Sequence, residues 1–503
     1  VLFVIDNSGS MAGEQAQLRA QIPRLAQTLT TGLRYPDDPY PFTPIRDLHI
    51  GVVTTDMGIP GVAYPPCSPD GGDDGALVRA SRSADPSCNR PLPPFQSFES
   101  AGGDAEQLAK DAACMASVGN VGCGFEQQLE APLKALWPRE YIDADGELIS
   151  PNPLSFLATT QGGTFGKADL PLDQNGNAGF LRNDPEDPSL LLIVLLTDEE
   201  DCSVTQTEHI RPTNQLPEDS PYRDQDINLR CYYSPQHLYD VQQRYYYGLR
   251  AAKPGQEDLV VFTAIAGVPP ELVSSEVLDA TDFSDAAARD QFYANILDNP
   301  AMAYTPDAQT GTGQGNLLPS CSRIVPGEEV PSTAYPPRRI VELAHLFGEN
   351  GLVQSICQDD FTPALNRIVN VMAKPLSEMC MDESLERDAA GKVDCQLVWQ
   401  LPAASAALPA GTPTDCSALG DLLEPGVAPE SLPNGTQRCV IRQLGVGDDY
   451  TLGEGRGWYY DDFSDDLARM CSAGRTKRVA LAEGVRAPQG VSVDLECFAD
   501  ATE

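Results

Sequence analysis

Asp6, Ser8 and Ser10 stand two apart at the end of the run Val1-Leu2-Phe3-Val4-Ile5. One carboxylate and two hydroxyls converging at a turn make a small set of hard oxygen donors. Such a set suits Mg²⁺, Mn²⁺ or Ca²⁺ and has nothing to offer Zn²⁺ or Cu²⁺. Taken alone, the same residues also read as a Ser/Gly turn that opens a helix. A partner carboxylate comes from further along the chain. Leu190–Leu196 is the most hydrophobic run in the sequence and leads into Thr197-Asp198-Glu199-Glu200-Asp201. Both runs have the continuous apolar character of buried parallel strands. Two such strands, each ending in Asp, place two carboxylates on one edge of a sheet, where open α/β sheets bind ligands.

On these motifs the chain resembles the von Willebrand factor type A (VWA) domain with a metal-ion-dependent adhesion site. The family's D-x-S-x-S falls on Asp6, Ser8 and Ser10, and its later strand-terminal T-D on Thr197-Asp198. The resemblance implies that Asp6, Ser8, Ser10 and Asp198 hold Mg²⁺ (or Ca²⁺ or Mn²⁺). It also implies that an acidic side chain of a protein ligand or neighbouring subunit completes the shell. The family's middle ligand is a Thr at a helix start, and Gly119–Glu126 contains no Thr or Ser. Water or Glu126 fills that place, or the metal is held more weakly. Asp56, Thr197 and Glu199 are further candidates beside the ion, although Asp56 reads rather better as a loop cap. Glu199 and Glu200 either crowd the metal or cap the next segment in water.

The elements that must position these groups follow from periodicity. Leu18, Ile22, Leu25, Leu29 and Leu33 predict a first helix that Pro23 kinks or divides. Leu48–Asp56, Leu259–Ile265 and Leu352–Cys357 predict further strands. Helices are expected over 104–116, from Phe125 to Leu136, from Leu238 to Leu249, around Ile340–Phe347 and from Phe361 to Met372. Alternating strands and helices predict an α/β fold, a doubly wound, mostly parallel sheet flanked by helices. The VWA-like part spans 1–376, with insertions at about 57–103, 138–188, 203–234 and 300–337. Within the second insertion Asp173, Asn175, Asn177 and Asp184 have the oxygen spacing of a calcium loop. The sixth place is Ala178 instead of Gly, and a plain turn is the competing reading. Asp143-Ala144-Asp145-Gly146-Glu147 carries the same ambiguity, and Gly162–Lys167 falls one residue short of a phosphate loop. From 377 to 503 six cysteines and short alternating runs predict a disulfide-rich β module.

Bulk composition limits the partners. Of 503 residues 73 are acidic and 34 basic, a net charge of −39, which repels nucleic acid and anionic membrane. No run of apolar residues is long enough for a membrane span. Fourteen cysteines without a Cys-x-x-Cys, and only four histidines, argue for disulfides and an oxidising compartment. Nearest-neighbour pairing predicts Cys67–Cys88, Cys114–Cys123, Cys202–Cys231 and Cys321–Cys357 and leaves the last six cysteines open. No H-E-x-x-H, G-x-S-x-G or dinucleotide fingerprint occurs, so no enzyme is expected. The expectation is an extracellular, metal-dependent binding module resembling bacterial secreted or surface VWA lipoproteins, with any leader or anchor upstream. The alternative is a structural subunit in which the metal is vestigial or stabilising.

Overall fold

Leu2–Ile5 forms strand β1 at the centre of a six-stranded sheet in the computed structural model. The structure describes residues 1–32, 44–100, 103–137, 141–142, 148–149, 154–157, 166–183, 189–254, 256–283, 285–307, 315–324, 331–376, 380–381, 384–401, 413–432, 435–447, 449–464, 467, 477–482, 485 and 491–497. After β1 come α1 (Ala12–Thr31), β2 (Asp47–Thr54), β3 (Phe95–Glu99), α2 (Ala105–Met115) and α3 (Glu130–Leu136). The next elements are β4 (Leu191–Leu196), β5 (Val260–Ala266), α4 (Ala286–Leu297), α5 (Arg338–Leu346), β6 (Gly351–Ser355) and α6 (Thr362–Leu376).

The strands lie in the order β6-β5-β4-β1-β2-β3. β1 pairs in parallel with β2 and β4, and β5 in parallel with β4 and β6. The fold is therefore α/β, with a mostly parallel sheet flanked by helices. Every residue of β1, β4, β5 and β6 is buried, as strands covered on both faces require. Strand succession runs outward from β1 on one side and from β4 on the other. The order thus reverses between these two strands, the place where open α/β sheets form a crevice beyond the strands' carboxyl ends.

The chain forms two compact units. One comprises Val1–Pro23, His49–Gln96 and Lys110–Met372; the other comprises Arg24–Leu48, Ser97–Ala109 and Ala373–Glu503. In the second unit β7 (Cys395–Leu401) pairs antiparallel with β8 (Gln437–Ile441), while β9 (Trp458–Asp461) and β10 (Lys477–Leu481) form an antiparallel pair of their own. The last strand, β11 (Ser492–Cys497), pairs antiparallel with the other side of β7. Trp399, Trp458, Leu397 and Leu401 form its core together with the Cys416–Cys439 bridge. Cys395–Cys497 joins β7 to β11. Cys471 lies outside the described residues.

Several local expectations are corrected. The pairs are Cys67–Cys123 and Cys88–Cys114, nested rather than sequential. Phe95–Glu99, inside the expected first insertion, is a strand of the sheet; with α2 it separates Cys88 from Cys114 in sequence while the fold brings them together. Cys202–Cys231 and Cys321–Cys357 form as expected. The six disulfides among the described residues fit an oxidising compartment. Non-reducing peptide mapping should therefore recover Cys67 linked to Cys123 and Cys88 to Cys114. Recovery of Cys67–Cys88 would contradict the fold. α1 runs through Pro23 undivided, and the helix expected from Phe125 begins only at Glu130. Val241–Tyr246 is a π-helical segment that passes into the α-turn Tyr247–Arg250. The Asp143–Glu147 turn lies outside the described residues, as does most of Gly162–Lys167. Among the described residues no helix is long and apolar enough to cross a membrane.

The segment closed by Cys202–Cys231 carries a buried imidazole. His209 is fully buried, neither ring nitrogen has a hydrogen-bond partner, and its ring packs 5.0 Å from Tyr222 and 5.4 Å from His237. Burial, then the charges of His237 and Arg230, push its pKa down to about 4 from 6.5. The unfolded chain therefore takes up a proton that the fold refuses between these values. Stability present above about pH 6.5 is lost as the pH falls toward 4, by about 3 kcal/mol at most. His209→Phe should flatten that limb of a melting-temperature-against-pH curve; an unchanged slope would refute the assignment.

Candidate metal centre

Strand register brings the two acidic ends together. Ile5 lies opposite Leu196, so Asp6 and Thr197 leave the sheet side by side, and the Asp6 amide donates to the Leu196 carbonyl at 2.9 Å. One carboxylate oxygen of Asp6 accepts from the Ser8 amide at 2.8 Å, an Asx turn that folds the chain back over the strand end. The other accepts from the Thr197 hydroxyl at 2.6 Å. Ser8 and Ser10 hydroxyls lie 3.3 Å apart, and the Ser10 hydroxyl is near enough to favour the charged form of Asp198. Asp6, Ser8, Ser10, Thr197 and Asp198 are thus one connected set around the crevice between β1 and β4.

The loop over 119–128 supplies the third side. Gln15, on the first turn of α1, donates from its side-chain amide to the Asp6 carbonyl at 2.7 Å and to the Gly119 carbonyl at 2.8 Å. The Gly122 amide bonds to the Asn7 carbonyl, and a Cβ on Gly122 would fall 2.2 Å from the Asn7 amide oxygen. Only glycine allows that approach. Cys67–Cys123 then anchors the loop, so a bridge does fix its shape, with a different partner from the one expected. Gln128 donates to the Thr197 hydroxyl at 3.2 Å. Gln15 and Gln128 were not legible as part of a site, because an amide nine residues beyond Asp6 has no motif to mark it.

Glu126 enters the crevice where the family's Thr is missing. Its carboxyl lies close to that of Glu199, and its Oε1 is buried without a hydrogen-bond partner among the described residues. Asp198 Oδ1 is buried and unpartnered as well. Burial, followed by the charges of Glu199 and Asp6, holds the Glu126 carboxyl well above the ordinary range. Burial, then Asp6 and Glu199, does the same to Asp198. Asp6 is raised by burial against the pull of its Thr197 and Ser8 hydrogen bonds, and Glu199 is pushed up to about 7 by burial and Asp6.

Four other buried acids in this unit have a protein cation, while buried Asp56 and Glu200 are held by amide and hydroxyl donors instead. Glu14 pairs with Arg323 at 3.0 Å, Glu130 with Arg244 at 2.6 Å, Asp201 with Arg339 at 3.1 Å and Asp74 with Lys134 at 2.6 Å. Asp6, Asp198, Glu126 and Glu199 form no ion pair among the described residues. Four uncompensated carboxylates in one buried crevice repel one another and lose hydration, so their charged forms need a positive group from outside the chain. The oxygen-only donors suit a hard divalent ion. Among the described residues no three His, Cys, Asp or Glu groups are placed to hold one ion.

The remaining candidates lie elsewhere or have other work. Asp56 caps its own turn, accepting from the Gly58 amide at 2.9 Å. Glu200 and Asp201 are buried, against the expectation of a solvated acidic run: Glu200 accepts from the Arg339 amide at 2.9 Å and from the Tyr304 hydroxyl. Asn177 is buried, with its oxygen accepting from Leu77 and its nitrogen donating to the Gly75 and Ala135 carbonyls. Asp173 and Asn175 are exposed on a turn, with Asn175 at φ 57°; Asp184 lies outside the described residues. No family model matches the chain, and no curated protein matches it.

Proposed function

We propose that the unit built on the six-stranded sheet is a VWA-type domain. In this reading Asp6, Ser8, Ser10 and Asp198 hold Mg²⁺, or Ca²⁺ or Mn²⁺, and the ion captures an acidic group of a protein partner outside the cell. The observation that carries it is the pair of buried oxygens on Asp198 and Glu126 that lack a partner among the described residues, beside carboxylates that form no ion pair there. Bound there, the ion would supply positive charge and an open coordination place. The chain's own residues do the positioning. Thr197 and the Ser8 amide fix both oxygens of Asp6, the Ser10 hydroxyl favours the charged form of Asp198, and Gln15 ties the first loop to the loop at 119. The role proposed is binding.

The test uses a blocked peptide containing a single Asp, titrated into the full chain in Mg²⁺ and in EDTA. Binding in Mg²⁺ that disappears in EDTA and in Asp6→Ala supports the proposal. Cation stabilisation without any peptide binding would favour the structural-subunit alternative, and equal behaviour in Mg²⁺ and EDTA would remove the metal altogether.

A further inference from the structure

The excursion over residues 205–237 is pinned by one arginine. It leaves and rejoins the fold at the backbone bridge between Val204 and Leu238, near the Cys202–Cys231 disulfide, and is built of short turns such as Thr207–Ile210, Thr213–Gln215 and Ile227–Leu229. The Arg230 side chain is 0% exposed and reaches four of its segments. It donates to the Arg211 carbonyl at 2.6 Å, to the Thr213 hydroxyl at 2.8 Å, and to the His209 and Gln225 carbonyls at 3.4 Å. Neither Arg230 nor Arg211 forms an ion pair among the described residues. Beneath the excursion Ile210, Val204 and Leu238 share a hydrophobic cluster with Ile59, Val62 and Phe125, beside the Cys67–Cys123 bridge. Two outward hydrogen bonds add to this: Gln215 donates to the Ala63 carbonyl at 3.1 Å, and Asp226 accepts from the Gly315 amide at 2.7 Å.

A second buried positive charge has no place beside that arginine. The His209 ring is sealed between Tyr222 and His237, with both nitrogens unpartnered among the described residues, and its own carbonyl accepts from Arg230. The charges that reach the ring, those of His237 and Arg230, have one sign. Of the acids nearby, Asp226 is engaged by the Asn228 and Gly315 amides, and Glu208 acts on the Tyr222 hydroxyl. An imidazolium formed in place would therefore lie desolvated next to Arg230 without a counter-charge, and His237, once charged, adds to the repulsion. Opening lets water reach the ring and relieves both.

We propose that residues 205–237 are an acid-released cover: protonation of His209 lifts them from the cluster around Phe125 while the parallel sheet stays folded. The pH-dependent stability described above becomes a local event, confined to one excursion, and it exposes the apolar surface of Ile59, Val62 and Phe125 on acidification.

Hydrogen exchange of the full chain tests this at pH 7 and pH 4.5, read peptide by peptide and corrected for the chemical effect of pH on exchange. EDTA is present throughout, so the outcome does not depend on the metal reading. The imidazole that titrates near 4 when enclosed and near 6.5 in water should raise the opening constant of 205–237 by about fiftyfold between the two conditions. Peptides from β1 and β4 should keep their protection, and His209→Phe should hold the excursion closed at both pH values. Equal protection of 205–237 at both pH values, a loss shared by β1 and β4, or a loss that persists in His209→Phe overturns the proposal. Should that variant fail to fold, the wild-type chain labelled at its histidine ring carbons answers by nuclear magnetic resonance. A His209 ring that gains its proton in step with the loss of protection supports the cover, and one that is charged while the excursion is still protected overturns it.

Discussion

Asp198→Asn is expected to make the metal-free protein more stable, and to erase the stabilisation that Mg²⁺ gives the wild type. Asp198 Oδ1 has no partner among the described residues, and burial, then the charges of Asp6 and Glu199, hold the carboxyl well above the ordinary range. Replacing it with an amide of the same shape removes an acid whose charged form the metal-free site disfavours and adds a hydrogen-bond donor. The gain in EDTA should be about 1–2 kcal/mol, the scale of a satisfied buried polar group. In the wild type Mg²⁺ at a hundredfold excess over its Kd should add about 2.7 kcal/mol, and in the variant it should add nothing. Melting curves of both proteins in EDTA and in Mg²⁺ decide the matter. A variant that is less stable than wild type in EDTA would mean the crevice is satisfied without an ion. Opposite signs in the two buffers are what a site held ready at a cost in stability produces.

Asp74→Asn should have the largest effect on folding itself. Asp74 accepts from Lys134 at 2.6 Å and pairs through its other oxygen with Lys167 at 2.8 Å; the two lysines are 0% and 3% exposed. Its φ of 54° suits Asp, Asn or Gly, so Asn keeps the backbone and removes only the charge. Both ammonium groups then lose the carboxylate they share, at a cost of about 3–5 kcal/mol. The site should feel the change as well, since the Asp73 carboxylate of the same turn accepts from Thr54 at 2.7 Å and from Asn7, the neighbour of Asp6, at 3.4 Å. Chemical denaturation checks the magnitude. Adding Lys134→Met to Asp74→Asn should recover part of the loss, because one buried charge disappears; a denaturation midpoint within error of wild type for Asp74→Asn alone would contradict the pairing.

The strand ends were legible in the sequence because parallel strands buried on both faces are written as unbroken apolar runs. Val1–Ile5 and Leu190–Leu196 could be little else, and an Asp after each run announces the edge. Their adjacency was not written in either run; it comes from the strand order and from the register that sets Ile5 opposite Leu196. β3 escaped notice because Phe95-Gln96-Ser97-Phe98-Glu99 sits among prolines and serines that read as loop, and an edge strand needs less apolar content than a central one. The nested bridges Cys67–Cys123 and Cys88–Cys114 escaped for a related reason. Short separations favour neighbours in sequence, and a strand and helix folded between them reverse that preference. The acidic run 199–201 was misjudged in part because charge runs usually face water. Here Arg339, Tyr304 and Ser203, all distant from the run or hidden in the fold, draw Glu200 and Asp201 inward.

The most direct test of the metal centre is a Mn²⁺ titration of metal-stripped protein followed by electron paramagnetic resonance. A single saturable ion per chain, displaced by Mg²⁺ and absent from Asp6→Asn, is the predicted result. Saturable binding that persists unchanged in Asp6→Asn, or no binding to the wild type at millimolar Mn²⁺, would contradict it.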